Sequence, residues 1–337
     1  MYKTPKLKLW LIVVLFSSAT QLLSQDIHFS QFANTPLNLN PALTGAFDGE
    51  YRFNSSFRRQ WNPTVNYRNF TLSGEKNFCT VKCDTSNCWR PEGFALGAVF
   101  NYDVAGDSRL SLTQLQVAGS YNAYLGSGFS WAGALMLGGA QRAFTRDELF
   151  LENVNDPANI KSTTGRQARS LFDISLGTNF HYQGCNRRNS IDFGVAAYHL
   201  NQPNTSFFDV ADINLPIRYT ISGLAAIQIF SKLDLLINGL VQFQGPYQEV
   251  VLMGGVRILP FTTGPGSFML DINAGGRGDD AIIGMVQLHY NMWNLGFSYD
   301  ITTAKSRDFL GIDGGFELSV GYIVNRPNPA RVCKVQF

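Results

Sequence analysis

The feature that most constrains this chain is a two-residue alternation of apolar and polar side chains, repeated along most of the sequence after residue 50. In the stretch 171–182, for example, Phe172, Ile174 and Leu176 alternate with Asp173 and Ser175. Successive side chains of a strand point to opposite faces, so a period of two indicates a strand with one apolar face. The pattern predicts about fourteen strands, at roughly 51–61, 65–75, 94–103, 110–124, 129–144, 170–182, 190–201, 217–230, 232–244, 247–259, 267–277, 280–291, 293–303 and 315–325.

These strands have the dimensions of a transmembrane β-barrel. Each is close to or longer than the roughly 9 to 11 residues with which a tilted strand crosses a bilayer, and bacterial single-chain barrels have even strand numbers. Very short turns, as at Ser231, Gly245, Gly278 and Met292, indicate an up-and-down meander. Closing that meander leaves no unpaired strand edge in lipid. The predicted fold class is all-β: a transmembrane outer-membrane β-barrel of about 14 antiparallel strands.

A secreted β-sandwich or a soluble barrel is the alternative interpretation. Only 15% of the residues are charged, against roughly 25% in an average soluble domain. Asp, Asn, Gln, Ser and Gly occupy the face opposite the aliphatic residues, whereas Lys and Arg are rare on both faces. A polar lumen and a lipid-facing outside fit that distribution better than a charged surface in water. Since no basic face is evident, nucleic acid is not expected as a partner.

Residues 1–24 have the pattern of a cleaved secretory signal peptide. Lys3, Lys6 and Lys8 precede an apolar run, and small residues lead to Ser24. The apolar run is about half the roughly 20 residues of a membrane-spanning helix, which disfavours a transmembrane anchor. No cysteine precedes Cys79, so the acylated cysteine of a lipoprotein is not expected either.

The expected parts of the mature chain are an N-terminal periplasmic or plug segment at 25–49, a transmembrane barrel at 50–325 and a C-terminal periplasmic tail at 326–337. Pro36 and Pro41 interrupt the first part, which is polar, rich in turns and too irregular for a membrane strand. We hypothesise that this part fills the lumen, and a solvated leader is the alternative. In the plug hypothesis, Phe29, Phe32 and Leu37 pack, while His28, Gln31, Asn38 and Asn40 bond to the polar barrel interior.

The lengths of the connections predict the topology. If the N-terminus is periplasmic, the odd-numbered connections face outward, and these include the long segments 145–169, 202–216 and 304–314. The same topology places all five cysteines on the periplasmic side. In an oxidising compartment disulfides are the favoured interpretation, with unpaired cysteines or zinc as alternatives, although no histidine accompanies them. The possible disulfide residues are Cys79, Cys83, Cys88, Cys185 and Cys333.

The sequence shows no catalytic constellation. Its four histidines, His28, His181, His199 and His289, are scattered over separate segments, whereas a serine hydrolase would need one beside a serine. The pair Asp279 and Asp280 is explained by a tight turn more simply than by a calcium loop. We therefore predict a protein that is not an enzyme and that has no catalytic residue, cofactor or metal.

Two groups of motifs resemble the type IX secretion system membrane proteins of the PorP/SprF family. The opening stretch, 25–45, is long and specific, and shorter stretches with the same resemblance follow along the chain. The N-terminal motif and plug positions are His28, Phe29, Gln31, Phe32, Pro36, Asn38, Asn40, Pro41 and Gly45. The barrel motif positions are Arg58, Gln60, Trp61, Asn201, Pro203, Gly275, Gly276, Arg277, Asp280, Ser298, Tyr299, Asp300 and Glu317.

The resemblance implies an accessory outer-membrane component of type IX secretion and, in gliding bacteria, of motility. Its implied partners are a secreted cell-surface adhesin with a type IX C-terminal signal, the periplasmic ring and lipoprotein of the machine, and outer-membrane lipid. In a docking platform, the outward segments 145–169 and 202–216 would hold the adhesin. The periplasmic cysteines and the tail would meet the envelope machinery. The competing hypothesis is a channel for small solutes, similar to fatty-acid transporters.

Overall fold

The structure is a computed structural model. It describes residues 26–60, 67–78, 80–81, 91–106, 109–145, 166–184, 188–207, 213–261, 268–278, 280–303 and 314–324. All five cysteines and Trp61 lie outside these residues. The disulfide hypothesis therefore concerns residues that the structure does not describe.

Fourteen long antiparallel strands close into one barrel, which confirms the predicted fold class. Each long strand pairs with its neighbours in sequence, and the β1–β15 ladder closes the ring. A two-residue strand, β3, pairs only with β4 and is too short for periodicity to detect. The strands are β1 Tyr51–Gln60, β2 Tyr67–Asn77, β3 Thr80–Val81, β4 Pro91–Ala105, β5 Leu110–Gly126, β6 Phe129–Thr145, β7 Arg166–Gln183, β8 Ser190–Tyr198, β9 Arg218–Phe230, β10 Leu233–Gln244, β11 Tyr247–Phe261, β12 Phe268–Arg277, β13 Ala281–Tyr290, β14 Trp293–Thr302 and β15 Gly315–Val324.

The alternation along each strand separates an apolar outer face from a more polar inner face. In β14, Phe297 and Tyr299 are exposed on the outside, whereas Ser298 and Asp300 are buried on the inside. The inner face is less polar than the sequence predicts, because Val251 and Ile283 among others also point inward and are fully buried. Apolar residues can face the interior of this barrel because protein, rather than water alone, occupies it.

The two rims of the barrel differ. The terminal rim is where β1 begins and β15 ends, and the loop rim is the opposite end. The long connections predicted to face outward all leave from the loop rim. At the terminal rim three aromatic residue pairs lie in register on neighbouring strands, with ring centroids 4.5 to 5.0 Å apart. Aromatic girdles of this kind mark membrane–water interfaces. The pairs are Phe94 with Tyr121, Phe129 with Tyr182, and Trp293 with Tyr322.

The described N-terminal residues lie inside the barrel, where they run from the loop rim to the terminal rim. They form a 3₁₀ turn at Phe32–Asn34, a one-turn helix α1 at Pro36–Leu39 and a second 3₁₀ turn at Pro41–Leu43. Pro36 and Pro41 each occupy the start of a helical turn, where the missing N–H costs nothing. Within the described residues, no helix is long and apolar enough to cross a membrane.

Candidate functional site in the barrel lumen

The candidate site is the interface between residues 26–45, called the lumen segment from here on, and the inner barrel face. Its most strongly charged part lies near the loop rim. There Asp300 accepts hydrogen bonds from Arg58 Nη2 at 2.8 Å, Arg277 Nη2 at 3.0 Å and Ser30 Oγ at 2.7 Å. Glu317 accepts the backbone N–H groups of Ser30 and Gln31 at 2.8 and 3.1 Å. Two wall carboxylates therefore hold the first turn of the lumen segment.

In this cluster, which we call the arginine cluster, each of the two arginines lies within 4 Å of more than one carboxylate. Arg58 is only 1% exposed and lies 3.9 Å from Glu317 as well as beside Asp300. Arg277 also contacts Glu249 at 3.2 Å and Asp280 at 3.6 Å. Buried charges are tolerated only when they are paired and hydrogen-bonded. The sequence positions Arg58, Arg277, Asp280, Asp300 and Glu317, which lie on four strands and one turn, are thus brought together around Ser30.

A second charged group, the histidine cluster, holds the start of the lumen segment. His199, just beyond β8, lies with Nε2 2.6 Å from Asp26 Oδ2 and Nδ1 2.9 Å from Asp173 Oδ1. Arg218 Nε lies 3.3 Å from the same Asp26 oxygen. Burial alone would lower the pKa of His199, but the carboxylates of Asp26 and Asp173 raise it to about 9. Burial opposes ionisation of Asp26 too, yet His199 and Arg218 hold the pKa of Asp26 well below its ordinary value.

These shifts predict that the histidine cluster weakens at alkaline pH. The contribution of protonated His199 to stability is fully present below its ordinary pKa of 6.5 and is lost as pH rises through about 9. The contribution of ionised Asp26 to stability is present above pH 3.8, its ordinary pKa, and is lost only in strong acid. We expect amide protection of residues 26–30, corrected for intrinsic exchange at each pH, to fall through about pH 9. His199→Gln should remove this pH dependence; an identical profile in the variant would contradict the assignment.

The middle of the lumen segment combines apolar packing with side-chain hydrogen bonds. Leu37 is fully buried, and its carbonyl accepts a hydrogen bond from Tyr198 Oη at 3.0 Å. Asn38 exchanges hydrogen bonds with Asn101 on β4, at 3.1 and 2.9 Å. Asn40 Nδ2 donates to the Thr178 carbonyl at 2.9 Å. Two apolar groups carry the packing: Phe32, Leu39 and Leu43 with Leu240, Val251, Met253, Ile283 and Met285, and Leu37 with Val99, Ala118, Met136, Ala196 and Tyr198.

At the terminal rim a third charged pair fixes the end of the lumen segment. Arg52 binds Glu75 through Nε and Nη2, both at 2.8 Å, and Nη2 also donates to the Leu43 carbonyl at 3.0 Å. Glu75 in turn accepts the N–H of Gly45 at 3.0 Å. Gly45 has a φ of +78°, and a Cβ there would overlap that of Ala95. Glycine is therefore required by backbone conformation and by space.

The remaining predicted positions have smaller or different roles. His28 contributes its carbonyl to Arg58 at 3.2 Å and stacks its ring on Tyr67, rather than bonding to the barrel through its ring nitrogens. Burial, together with the nearby Arg58 and Arg277 cations, holds the pKa of His28 well below its ordinary value, which favours a neutral ring. Phe29 is buried, as the plug hypothesis requires.

The other barrel positions are dispersed. Gln31 Nε2 donates to Ser298 Oγ at 3.1 Å, so Ser298 belongs to the interface. Tyr299 faces outward, Gln60 is buried, and Asn201 and Pro203 lie in the connection after β8. A Cβ on Gly275 would overlap the backbone of β11, whereas one on Gly276 would meet only the Ala281 carbonyl, at 3.4 Å. These residues therefore do not form one site.

Sequence reasoning missed several residues of the interface. Asp26 of the lumen segment was not among the predicted site positions, and neither were four barrel residues: Arg218, which contacts Asp26, Asp173, which contacts His199, Glu75, which contacts Gly45, and Glu249, which contacts Arg277. For the barrel residues, the available signal was a charged side chain at an inward position of a strand that has few other charges. In the part of the chain that the structure describes, no group of three or more His, Cys, Asp or Glu residues is arranged to hold a metal ion.

Comparison with solved structures finds other outer-membrane barrels at low similarity. CdiB from Escherichia coli is 9% identical, with 82% of this chain and 63% of that chain covered and a TM-score of 0.48. CdiB from Acinetobacter baumannii is 9% identical, with 81% and 60% covered and a TM-score of 0.43. A Pseudomonas aeruginosa FadL homologue is 11% identical, with 84% and 92% covered and a TM-score of 0.46. The chain thus spans less than two thirds of the length of either CdiB.

Comparison with curated proteins gave no match. The profile of one protein family, described as type IX secretion system membrane protein PorP/SprF, matches residues 22–322. That range contains the lumen segment and nearly the whole barrel. The chain therefore belongs to the PorP/SprF family of type IX secretion system membrane proteins, and it is an outer-membrane component of that system.

Proposed function

We propose that this component is a docking and anchoring platform rather than a conduit. Its cargo would be a large secreted adhesin with a type IX C-terminal signal, which the barrel helps to export or to attach to the cell surface. In gliding bacteria the same role would serve motility. The periplasmic side would connect the barrel to the ring and lipoprotein of the secretion machine.

The observation that carries this proposal is the occupied lumen. The lumen segment crosses the barrel from rim to rim, and three charged groups fix it near its start, at its first turn and at its end. Its aromatic and leucine side chains pack against inward apolar residues of the barrel. A folded adhesin could not pass through a lumen filled in this way without displacing a buried, ion-paired segment. Docking would then depend on the long connections that leave from the loop rim.

The proposal includes an orientation and a processing step. Cleavage of a signal peptide near residue 24 would release the lumen segment to enter the barrel. The terminal rim would then face the periplasm, with the tail at 326–337 and the five cysteines on that side, where some of the cysteines would form disulfides. The loop rim would face the outside, where an exported partner arrives.

The test is to isolate the protein with its natural partners. A tagged copy expressed in its native outer membrane would be extracted in mild detergent and analysed by mass spectrometry. We expect a large surface adhesin, together with subunits of the secretion machine. A barrel recovered alone, combined with solute uptake that depends on it, would contradict docking and favour the small-solute channel instead.

A further inference from the structure

An apolar groove lies on the outer face of the barrel, across β4 to β9. It encloses about 1000 Å³. Its walls include Leu96, Leu135 and Leu176, whose side chains point outward and are 46–50% exposed. Of the residues that line the groove, none is charged. The groove is therefore suited to a hydrocarbon chain rather than to a polar ligand.

The groove forms where small residues interrupt a row of large side chains. The outward residues of this row are paired across the strands in the order Leu96, Gly119, Leu135, Leu176 and Ala197. Gly119 has no side chain, and a Cβ there would have only Leu96 Cδ2, at 3.6 Å, within 4 Å beyond its chain neighbours. The space between the large side chains is therefore open at Gly119.

The groove runs obliquely from the terminal rim towards the loop rim. Phe94 and Tyr121, a pair of the aromatic girdle at the terminal rim, line its beginning. Tyr219 lines its other end, and as the second residue of β9 it lies towards the loop rim. Because aromatic girdles mark the membrane–water interface, the groove extends from that interface into the apolar part of the membrane. The acyl chain of a lipid has the same course.

A cation lies beside the groove, close to the aromatic girdle. Lys76 on β2 is directly opposite Leu96 in the β2–β4 ladder. Its side chain points outward, because that of the preceding residue, Glu75, is buried inside the barrel. Lys76 Nζ lies 4.9 Å from the ring centroid of Phe78, whose N–H donates to the Phe94 carbonyl. No carboxylate of the described residues forms an ion pair with Lys76. Its ammonium group is thus placed to bind the phosphate of a lipid headgroup.

The hydrogen bonds around the groove favour an acyl chain over an extended polypeptide. A polypeptide segment in the membrane needs partners for its own backbone groups. The strands β4 to β9 already pair with one another along the groove. The Thr178 hydroxyl, which also lines it, accepts Trp131 Nε1–H at 2.8 Å and donates to the Ala132 carbonyl at 3.2 Å. An acyl chain requires no hydrogen bonds and therefore matches this lining.

We propose that Lys76 and the groove bind one phospholipid with an anionic headgroup. The phosphate would contact Lys76 Nζ near the terminal rim, and one acyl chain would lie in the groove beside Gly119. In the proposed orientation, this lipid belongs to the periplasmic leaflet. The inference assigns a defined site to one lipid molecule, beyond the contact of any barrel with the bilayer. It is independent of the docking function, because it concerns neither the lumen nor the loop-rim connections.

The first test fills the groove. The protein would be depleted of lipid in mild detergent and titrated with phosphatidylglycerol, and native mass spectrometry would count the bound lipid. Gly119→Leu places a side chain in the open space. Gly284→Leu is the matched control, because Gly284 on β13 has no described heavy atom within 4 Å of its Cβ position beyond its chain neighbours. We expect Gly119→Leu to bind the first lipid about tenfold more weakly than the control, the effect of removing roughly two methylene groups from apolar contact. Equal binding would overturn the inference.

A second test removes the cation and keeps the groove. We expect Lys76→Gln to bind phosphatidylglycerol about fivefold more weakly than the wild-type protein, with the same heat-modifiable mobility. Lys232→Gln, in an exposed turn between β9 and β10 at the same rim, is the matched control and should bind normally. Equal affinities of the two variants would contradict the role of Lys76.

Two further outcomes of these titrations would identify a different occupant. Displacement of phosphatidylglycerol by inorganic phosphate at the same concentration would show that Lys76 takes free phosphate rather than a lipid. A dimer that carries no lipid and that Gly119→Leu dissociates would show that a second copy of this chain covers the groove. Either result would overturn the inference.

Discussion

Replacing Asp300 with alanine is expected to destabilise the barrel by about 3–5 kcal/mol, the cost typical of removing one partner from a buried ion pair. Asp300 is the common acceptor of Arg58, Arg277 and Ser30. Arg58 is 1% exposed, so its guanidinium cannot turn to water when the carboxylate is lost. Glu317 remains near Arg58, but at 3.9 Å it is not within hydrogen-bonding distance. The variant would therefore leave Arg58 buried and poorly compensated, whereas Arg277 would keep Glu249 at 3.2 Å.

The matched control is Asp280→Ala. Asp280 also pairs with Arg277, at 3.6 Å, but its side chain is 47% exposed. Solvent-exposed ion pairs of this kind contribute about 0–1 kcal/mol to the free energy of unfolding, because water screens their charges. Unfolding in urea, followed by heat-modifiable mobility in lipid vesicles, would measure both variants. Equal losses of stability would show that the arginine cluster is not the buried network described above.

The barrel could be predicted from the sequence because contact with lipid requires an apolar outer face on every strand, and this produces a two-residue alternation of side chains. The predicted strands at 110–124 and 293–303 differ from β5 and β14 by no more than two residues at either end. The predicted strand ends are wrong where this alternation weakens or the chain leaves the strand. β7 begins at Arg166 rather than near 170, because the added residues alternate weakly. β8 ends at Tyr198 rather than near 201, since His199 has a φ of +59° and leaves the strand.

The candidate site was predictable only in part. The motif positions Arg58, Arg277, Asp300 and Glu317 do meet, but the strand pattern alone does not show which lumen residue they hold. The partners are far apart in sequence, as Ser30 and Glu317 are by 287 residues. Ser30 and Glu317 meet because the lumen segment passes through the barrel beside β15. Asp26 reaches His199 for the same reason, and neither residue has a local pattern that indicates the other.

Deleting residues 26–45 is expected to convert a closed barrel into a conducting one. The deletion removes the segment that lies between opposite sides of the barrel, and water would enter beside the polar inner residues. It also exposes inward apolar residues such as Val251 and Ile283, so the variant should unfold at lower temperature than the intact protein. Ion conductance in planar bilayers would measure the first effect. A folded deletion variant with unchanged conductance would contradict the plug hypothesis.

A substitution tests the same hypothesis in the full-length chain. A Cβ on Gly177 would overlap Asn40 Oδ1 of the lumen segment, so Gly177→Val should displace that segment from the barrel face. A Cβ on Gly223 would have no described heavy atom within 4 Å beyond its chain neighbours, which makes Gly223→Val the matched control. We expect intermittent conductance from Gly177→Val and none from the control. Because both variants add the same β-branched side chain to a strand, a difference between them reports on contact with the lumen segment. If Gly177→Val folds and stays closed, the segment does not seal the lumen at this point, and some other part of the chain must do so.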